Sequence, residues 1–530
     1  MTEYRNFRFD RVLGRYGGQV KSLTSGGGCF ICLCRFGRFQ MQILGLVVFF
    51  VLVIYNALVF SFGAGRGNEL IIALILYSSA RIVMICFDKT PKIGILSVMI
   101  FYYTFFGVAP YINASIGADT YNIRFSPSLQ LKTQVILLLS LILIDLIYIL
   151  KQQNSGSGLI RSTAYTSINC KKVRNLVVLT CGFFIFFIFP YLGKGLFGIR
   201  GVGGGEVSTE YMFEMRFYVR IGTLACLVAL YLLLSQIYLS LRESLKINGQ
   251  RRYLSSGGAL LGQLNSSGES SKVDNLFENN IIFSIRTVKK LIYITFITLC
   301  IFGNPLSLPR YLVIFTWMPL IIMYLLHTPI FKNYVNIIIF FVLFFLLNGM
   351  MNFIDPRQLF DDSGFFLGFQ NNWSETWVDN FSSGHYDANV VTMMLIDHAD
   401  TNGLTYGNNI LFWVTFWVPR VFFPTKPLSS SSIIGEYNSS IFSNISAPPI
   451  GELYCDFGFC GVFGYVLLIA LIISWSDRQC RVCMKSSNLI IALVLISGIA
   501  ISLRGSIVNS LMFSACLICY IQFSRRYMKI

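Results

Sequence analysis

The chain has 530 residues, of which 55% are apolar and 15% aromatic, and only 13% are charged. A soluble domain carries about 25% charged residues, so the composition excludes an ordinary soluble protein. Several predominantly apolar windows of about 17 residues or more indicate a polytopic helical membrane protein. The first window has the length of a span and follows a basic, polar segment, so we expect no cleavable signal peptide.

The net charge of +17 would suggest a nucleic-acid partner in a soluble protein. In a membrane protein, Lys and Arg concentrate in the cytoplasmic loops, which accounts for the charge in another way. We therefore predict no binding to nucleic acid.

Apolar windows and the polar segments between them predict an all-α protein with about twelve transmembrane helices. A basic tail occupies residues 1–40, nine spans lie within 41–350, a large polar loop covers 351–453, and three spans with a short tail occupy 454–530. The predicted spans cover, approximately, residues 41–62, 69–87, 93–112, 131–150, 175–193, 217–241, 290–303, 311–327, 334–350, 454–475, 489–503 and 505–523.

The segment between the sixth and seventh spans differs from the rest in composition. Residues 242–290 are rich in Ser, Gly and Asn and carry eight Lys and Arg. This composition predicts a flexible cytoplasmic linker.

Positive charge also predicts the orientation of the spans. The loop over 351–453 carries ten Asp and Glu against three Lys and Arg, which fits the outer side of the membrane. Both termini are then expected in the cytoplasm. With twelve spans, the same orientation places every basic segment on the cytoplasmic side, namely 1–40, 151–174, 242–290, 476–488 and 525–530.

The outer loop holds the segments in which we expect chemistry. Residues 409–423 are apolar, but the run is short and is interrupted by Pro419-Arg420. We interpret it as a re-entrant or interfacial helix.

Cationic side chains flanked by apolar sequence lie on the predicted outer side. Ionisable groups near or within a membrane usually face a cavity or a partner, and the planar fork of Arg binds phosphate in two-pronged fashion. Several such groups at one depth suggest a site for pyrophosphate. Alternatively, each could pair with an acidic residue of the loop or reach lipid phosphate. The candidates are Arg200, Arg310, Arg420, Lys426 and Arg504.

Groups that could move a proton lie in the same loop, because a carboxylate or a His held near a hydroxyl can remove its proton. Glu452 is the strongest candidate, since it precedes a span in a mostly apolar stretch where an unpaired carboxylate is costly. A surface or structural role is the alternative for each His. The other candidates are His385, Asp387, Asp397, His398 and Asp400.

Motifs for metals and cofactors are absent from the sequence. It contains no HExxH, no GxSxG and no dense cluster of metal ligands. The glycines at 201–205 are not followed by Gly-Lys-Ser/Thr and so do not form a P-loop. We predict neither a metal nor another cofactor.

Two motifs stand out in the second half of the chain, VPRVFFPTKP over 418–427 and GELYCDFG over 451–458. Pro309-Arg310 precedes them and Arg504-Gly505 follows them. Together these motifs and Arg positions resemble those of the bacterial Wzy-type O-antigen polymerases, which polymerise oligosaccharide repeat units. The layout, with about a dozen spans and a large outer loop late in the chain, is similar over nearly the whole length.

The resemblance implies a glycosyltransferase of the bacterial inner membrane whose fold is similar to that of GT-C-like, lipid-dependent membrane glycosyltransferases. At the periplasmic face, the growing glycan would leave its undecaprenyl pyrophosphate and move to a sugar hydroxyl of the next lipid-linked unit. Besides this glycan, the resemblance implies membrane lipid as a partner and allows a chain-length regulator protein.

The resemblance also implies roles for individual residues. Glu452 or His385 would take the proton of the acceptor hydroxyl, and Arg420 would stabilise the charge that develops on the leaving group. The groups that would hold the pyrophosphate are Arg200, Arg310, Arg420, Lys426 and Arg504.

Three other functions stay open at the level of sequence. An O-antigen ligase would use the same donor with a lipid A-core acceptor. A flippase or transporter of lipid-linked oligosaccharide would show paired halves with broken helices, and the sequence shows no internal repeat. The third is a purely structural membrane protein.

Overall fold

A computed structural model describes most of the chain, and in these residues the chain is helical, with turns and short extended connections but no β-strand. The described residues are 27–61, 69–117, 123, 125–153, 170–189, 210–258, 269–305, 308, 310–328, 330–347, 381, 386–416, 418, 420, 422–437, 446–482, 487–505 and 507–528.

Long helices dominate the first two thirds of the chain and its end, whereas four short ones lie between Ala388 and Phe457. In chain order the helices are α1 (Gly27–Phe60), α2 (Glu69–Phe87), α3 (Ile93–Ile116), α4 (Pro127–Gln153), α5 (Cys170–Phe183), α6 (Glu210–Gly258), α7 (Glu269–Phe302), α8 (Arg310–His327), α9 (Val335–Leu347), α10 (Ala388–Asn402), α11 (Asn408–Thr415), α12 (Ser430–Tyr437), α13 (Pro449–Phe457), α14 (Phe459–Val482), α15 (Ser487–Ser502) and α16 (Ile507–Met528).

Within the described residues, six helices are long and apolar enough to cross a membrane, which confirms the predicted class of all-helical membrane protein. Three shorter apolar helices accompany them, at Leu312–His327, Lys332–Leu347 and Asn488–Ser502. The six long segments are Gln42–Phe60, Glu69–Phe87, Ile93–Ile116, Pro127–Gln153, Val219–Leu245 and Phe459–Arg481.

Three helices extend beyond the boundaries expected from sequence. Helix α1 begins at Gly27, although its apolar part starts at Gln42, close to the predicted position. The prediction of a flexible linker over 242–290 is wrong for most of that segment, because α6 continues to Gly258 and α7 begins at Glu269. The segment contains Leu, Lys, Arg and Glu, which favour helix even where Ser and Gly are frequent.

Helix α3 is the central element, since every residue from Ile93 to Asn113 is buried. Its middle turns, Tyr102–Val108, are π-helical. Pro110 follows directly, and because proline has no N–H and crowds the preceding turn, it disturbs the regular α-helical bonding there. Short π-helical segments occur frequently at functional sites.

One end of the helix bundle is fixed by two buried polar side chains, and we call it the Asn336 end. The Asn336 amide donates to the carbonyls of Ile85, Asp88 and Thr90 at 3.1, 3.0 and 2.8 Å. Its oxygen accepts from the backbone N–H of Lys92 at 2.9 Å. A single side chain thus holds the whole turn between α2 and α3.

Asp477 anchors the same end, because its carboxylate receives the first N–H groups of α3. The backbone N–H of Gly94 lies 2.7 Å from Oδ1, and that of Ile95 lies 3.3 Å from Oδ2. The hydroxyl of Tyr148 donates to Oδ2 at 3.0 Å. A carboxylate from α14 therefore satisfies N–H groups that a helix leaves open at its start.

At the opposite end of the bundle, which we call the Glu452 end, the short helices α10–α13 meet the ends of the long ones. The Asn113 amide donates to the carbonyl of Phe381 at 3.1 Å. The Tyr386 hydroxyl donates to the carbonyl of Leu347 at 2.8 Å. These contacts place Phe381 and Tyr386 at the ends of α3 and α9.

We predict that Asn336→Asp lowers the free energy of unfolding by about 3 kcal/mol, because it replaces a donor to three carbonyls by an acceptor. Denaturation of the purified protein in detergent measures this loss. The matched control is Asn408→Asp, which makes the same change at an exposed position in the first turn of α11. Its effect should stay within about 0.5 kcal/mol. Equal stability of the two variants would contradict the role assigned to Asn336.

Candidate functional site

Helix α13 contains most of the GELYCDFG motif, and proline at its start and glycine at its end define its limits. Pro449 occupies the first turn, where its missing N–H costs no hydrogen bond. Gly458 ends the helix with φ +60°, a backbone conformation that glycine adopts without strain. Every residue from Pro449 to Asp456 is buried.

Glycine at 451 brings α13 against α10. A Cβ at this position would lie only 2.6 Å from Cδ1 of Leu395, which is closer than van der Waals contact allows. The absence of a side chain at Gly451 therefore lets the two helices pack closely. This close packing determines the position of the adjacent Glu452 relative to α10.

The Glu452 carboxyl is the centre of the candidate site and is only 1% exposed. The indole Nε1 of Trp413 donates to its Oε2 at 3.1 Å, and the hydroxyl of Ser430 lies within hydrogen-bond reach. Burial raises the pKa of Glu452 to about 8, because the charged form loses its hydration. The carboxyl is therefore mostly protonated at neutral pH, close to the range in which a general acid or base works best.

Asp456, one helical turn after Glu452, is fully buried and holds the start of α11. Its Oδ1 accepts from the Thr405 hydroxyl at 2.5 Å and from the backbone N–H of Asn409 at 3.1 Å. Its Oδ2 accepts from the backbone N–H of Ile410 at 3.2 Å. The residue preceding α11 is a glycine without a capping side chain, so Asp456 supplies the cap from another helix.

The predicted cations Arg420 and Lys426 lie together in the loop after α11, and both bind backbone carbonyls of that loop. The Arg420 guanidinium donates to the carbonyls of Lys426 and Pro427 at 2.7 and 3.2 Å. The Lys426 ammonium donates to those of Phe416 and Val418 at 2.6 and 3.2 Å. We call the described residues of 416–427 the basic loop.

The basic loop adjoins α11, the helix that carries Trp413. Arg420 is exposed and forms no salt bridge with a carboxylate in the described part of the chain. The Lys426 ammonium lies 5.4 Å from the ring centre of Phe412, the residue before Trp413. Neutral carbonyls thus orient both cations.

Arg504 lies in the turn between α15 and α16, also at the Glu452 end. Its guanidinium lies 5.6 Å from the ring centre of Phe105, within the range of a cation–π interaction. Phe105 belongs to the π-helical turns of α3 and stacks on Tyr386. A Cβ on Gly505 would lie 3.4 Å from Ser446, which leads into α13.

The other predicted cations and one predicted base are placed less fully. Arg310 is the first residue of α8. The last residue of α8 leads to α9 and Asn336, so the backbone of Arg310 lies toward the Glu452 end. The side chain of Arg310, and the whole of Arg200 and His385, lie outside the described residues.

Two further acid–base candidates have other partners. Asp400 binds Lys132 of α4 through both oxygens, at 2.8 and 2.6 Å, and accepts from the Tyr454 hydroxyl at 3.2 Å. His398 pairs with the amide of Asn402 at 3.0 Å, and burial lowers its pKa. Among these groups and Glu452, only Glu452 is fully buried.

Sequence reasoning missed Asp456, Asn409, Trp413 and Ser430, which surround Glu452. The spacing contained a signal, because Glu452 and Asp456 are four residues apart, as are Asn409 and Trp413. Residues at this spacing share one face of a helix. The sequence does not show that the two faces meet.

No protein-family model, no curated protein and no solved structure matches this chain. The function therefore has to be inferred from the residues and their geometry.

We predict that stability falls as pH rises from about 5 to 8. The folded-state pKa of Glu452, about 8, lies above its ordinary value of 4.5, so in this range the folded protein binds the proton more tightly than the unfolded chain does. Each unit of difference is worth about 1.4 kcal/mol. Thermal unfolding in detergent across this range measures the slope.

The variant Glu452→Gln should flatten this slope, because its amide does not titrate. The matched control is Glu69→Gln at an exposed position in the first turn of α2, which should keep the slope. A wild-type slope that persists in Glu452→Gln would show that another group is responsible.

Proposed function

We propose that this protein polymerises undecaprenyl-pyrophosphate-linked oligosaccharide repeat units at the periplasmic face of a bacterial inner membrane. The product is an O-antigen or a related surface polysaccharide. The observation that carries the proposal is a buried carboxyl with a pKa of about 8 beside a loop whose two cations are oriented by carbonyls.

The proposed reaction joins the growing glycan to the incoming unit. The bond between the anomeric carbon and the pyrophosphate oxygen breaks, and a sugar hydroxyl of the acceptor forms the new bond to that carbon. Once α11 moves and Glu452 is exposed, its resting proton passes to water, and the resulting carboxylate takes the acceptor proton. Undecaprenyl pyrophosphate leaves with the electron pair of the broken bond. Charge grows on the leaving group, where a cation stabilises it most.

The cations divide this work according to their positions. Arg420 is exposed and its charge is available to an anion, so it meets the pyrophosphate first. Lys426 and Arg504 support it, and Arg310 contributes from the start of α8. Because Arg presents a planar fork to two phosphate oxygens, it also orients the leaving group.

Substrate has to move α11 before Glu452 can act. In the described state, the carboxyl is almost inaccessible, and Trp413 and Ser430 are in contact with it. We infer that binding of the acceptor displaces Trp413 and brings a sugar hydroxyl into its place on Oε2. Such a closed resting state keeps water away from the base until substrate is present.

The proposal includes twelve spans with the Glu452 end in the periplasm and both termini in the cytoplasm. The three shorter apolar helices, with α5, α7 and α16, would complete the six longer ones. The acidic excess of residues 351–453 supports this orientation. A GT-C-like arrangement is part of the same proposal.

We predict that Arg420→Ala slows polymerisation by about 100-fold or more, as expected when a transition-state cation is lost. Cells with this variant should carry single-unit glycan only, at unchanged protein level, as seen in a gel of surface glycan. Arg420→Gln should do the same, although it keeps a donor for the carbonyls. The control is Lys332→Ala, which removes an exposed cation next to the start of α9. It should leave the gel's ladder of glycan chain lengths unchanged.

Other outcomes separate the alternatives. A normal ladder in Arg420→Ala would contradict its role. Complete loss of surface glycan in the gene deletion would indicate an O-antigen ligase or a flippase instead of a polymerase.

A further inference from the structure

Two helical faces meet at Glu452 in matching register. Glu452 and Asp456 are one turn apart on α13, and Asn409 and Trp413 are one turn apart on α11. Trp413 contacts Glu452 at 3.1 Å, and the Asn409 amide contacts Asp456 at 2.9 Å. The two helices therefore run antiparallel at this point. A shift of α11 along α13 would break both contacts together.

A directional chain of hydrogen bonds joins the two carboxyl groups by a second route. The Asn409 amide nitrogen donates to Asp456, and the Asn409 oxygen accepts from the Ser430 hydroxyl. A serine hydroxyl has only one hydrogen, and Ser430 gives it to Asn409, so only its lone pairs remain for Glu452. The hydroxyl therefore does not act as a donor to Glu452, a contact that would lower the pKa of the carboxyl. Lone pairs favour the protonated carboxyl, which can donate to them. The buried negative charge of Asp456 favours the same state.

Other titratable groups near Glu452 take no part in this series of hydrogen bonds. Cys455 lies beside Glu452 on α13, and Tyr465 faces it from α14. From α11 and α12 the facing groups are Trp413 and Ser430. On the α10 side, Asp400 is paired with Lys132 and Tyr454.

We propose that Asp456 and Asn409 are positioning residues that, through Ser430, hold the Glu452 carboxyl in its protonated, covered state until the acceptor displaces α11. The catalytic role in this inference rests on the proposed function. The protonation state of the Glu452 carboxyl does not depend on that function. Trp413 acts in the opposite sense, because its N–H donates to the carboxylate and supports the charged form.

The opposing senses give a test that needs no activity. Infrared difference spectra of the purified full chain, recorded across pH, follow the carbonyl stretch of the protonated carboxyl, which is assigned by its loss in Glu452→Gln. Asp456→Asn removes a negative charge and should lower the titration midpoint by about one pH unit. Trp413→Phe removes a donor and should raise it by a similar amount.

A second variant guards against misfolding of Asp456→Asn. Asn409→Ala leaves Asp456 bonded to Thr405 and to the backbone of α11 but frees the Ser430 hydroxyl to donate to the carboxylate, so it should also lower the midpoint. Asp400→Asn is the matched control, since it neutralises a nearby carboxylate that is not part of this series of hydrogen bonds. The titration midpoint of Glu452 should not move in this variant. A midpoint that is unchanged or raised in Asn409→Ala would overturn the proposal.

The glycan ladder of the same variants separates this inference from the proposed function. Shifted midpoints with a normal ladder in Glu452→Gln would support the positioning role and contradict the role of Glu452 as the base of the polymerase. Loss of the ladder in Glu452→Gln with unshifted midpoints in Asp456→Asn and Asn409→Ala would support the polymerase and overturn the positioning role.

Discussion

The double contact between α13 and α11, with Glu452 on Trp413 and Asp456 on Asn409, is the constraint on which the rest of the site depends. An ionised carboxyl buried in an apolar setting is costly unless it is hydrogen-bonded. The two acids meet this constraint differently. Asp456 gathers four donors and caps a helix, whereas Glu452 has fewer partners and stays mostly protonated at neutral pH. The same helix turn thus carries a structural carboxylate and a carboxyl able to exchange its proton.

Close backbone approaches make this arrangement possible. The missing side chain at Gly451 lets α13 approach α10, and the left-handed turn at Gly458 sends the chain directly into α14. At the far end of the bundle, Asn336 and Asp477 fix the start of α3, whose π-helical turns present Phe105 to Arg504. The geometry of the Glu452 end therefore depends on anchors along the full length of the bundle.

Sequence reasoning predicted the class of protein and most of the long apolar helices, and it singled out Glu452, which is buried in the structure. Each of these leaves a local signature: an apolar window of span length, or an acid within an apolar stretch. The prediction of a flexible linker was wrong for most of residues 242–290. It gave more weight to the Ser and Gly content than to the helix-forming residues around them.

The contacts of the site could not be predicted in the same way. Arg420 and Lys426 bind carbonyls of their own loop, and carbonyl partners leave no trace in a sequence. The pairing of Asn409 with Asp456 joins residues far apart in the chain, and only the packing of α11 on α13 reveals it. The number of spans and the orientation stay predictions.

The most direct test of the central claim is a reconstituted reaction. Purified protein in lipid vesicles is supplied with undecaprenyl-pyrophosphate-linked repeat units, and polymer and released undecaprenyl pyrophosphate are measured from about pH 6 to about pH 9. We expect one undecaprenyl pyrophosphate released for each bond formed, a rate that rises toward pH 8, and loss of that rate in Glu452→Gln. Polymer formed by Glu452→Gln at the wild-type rate would contradict the account.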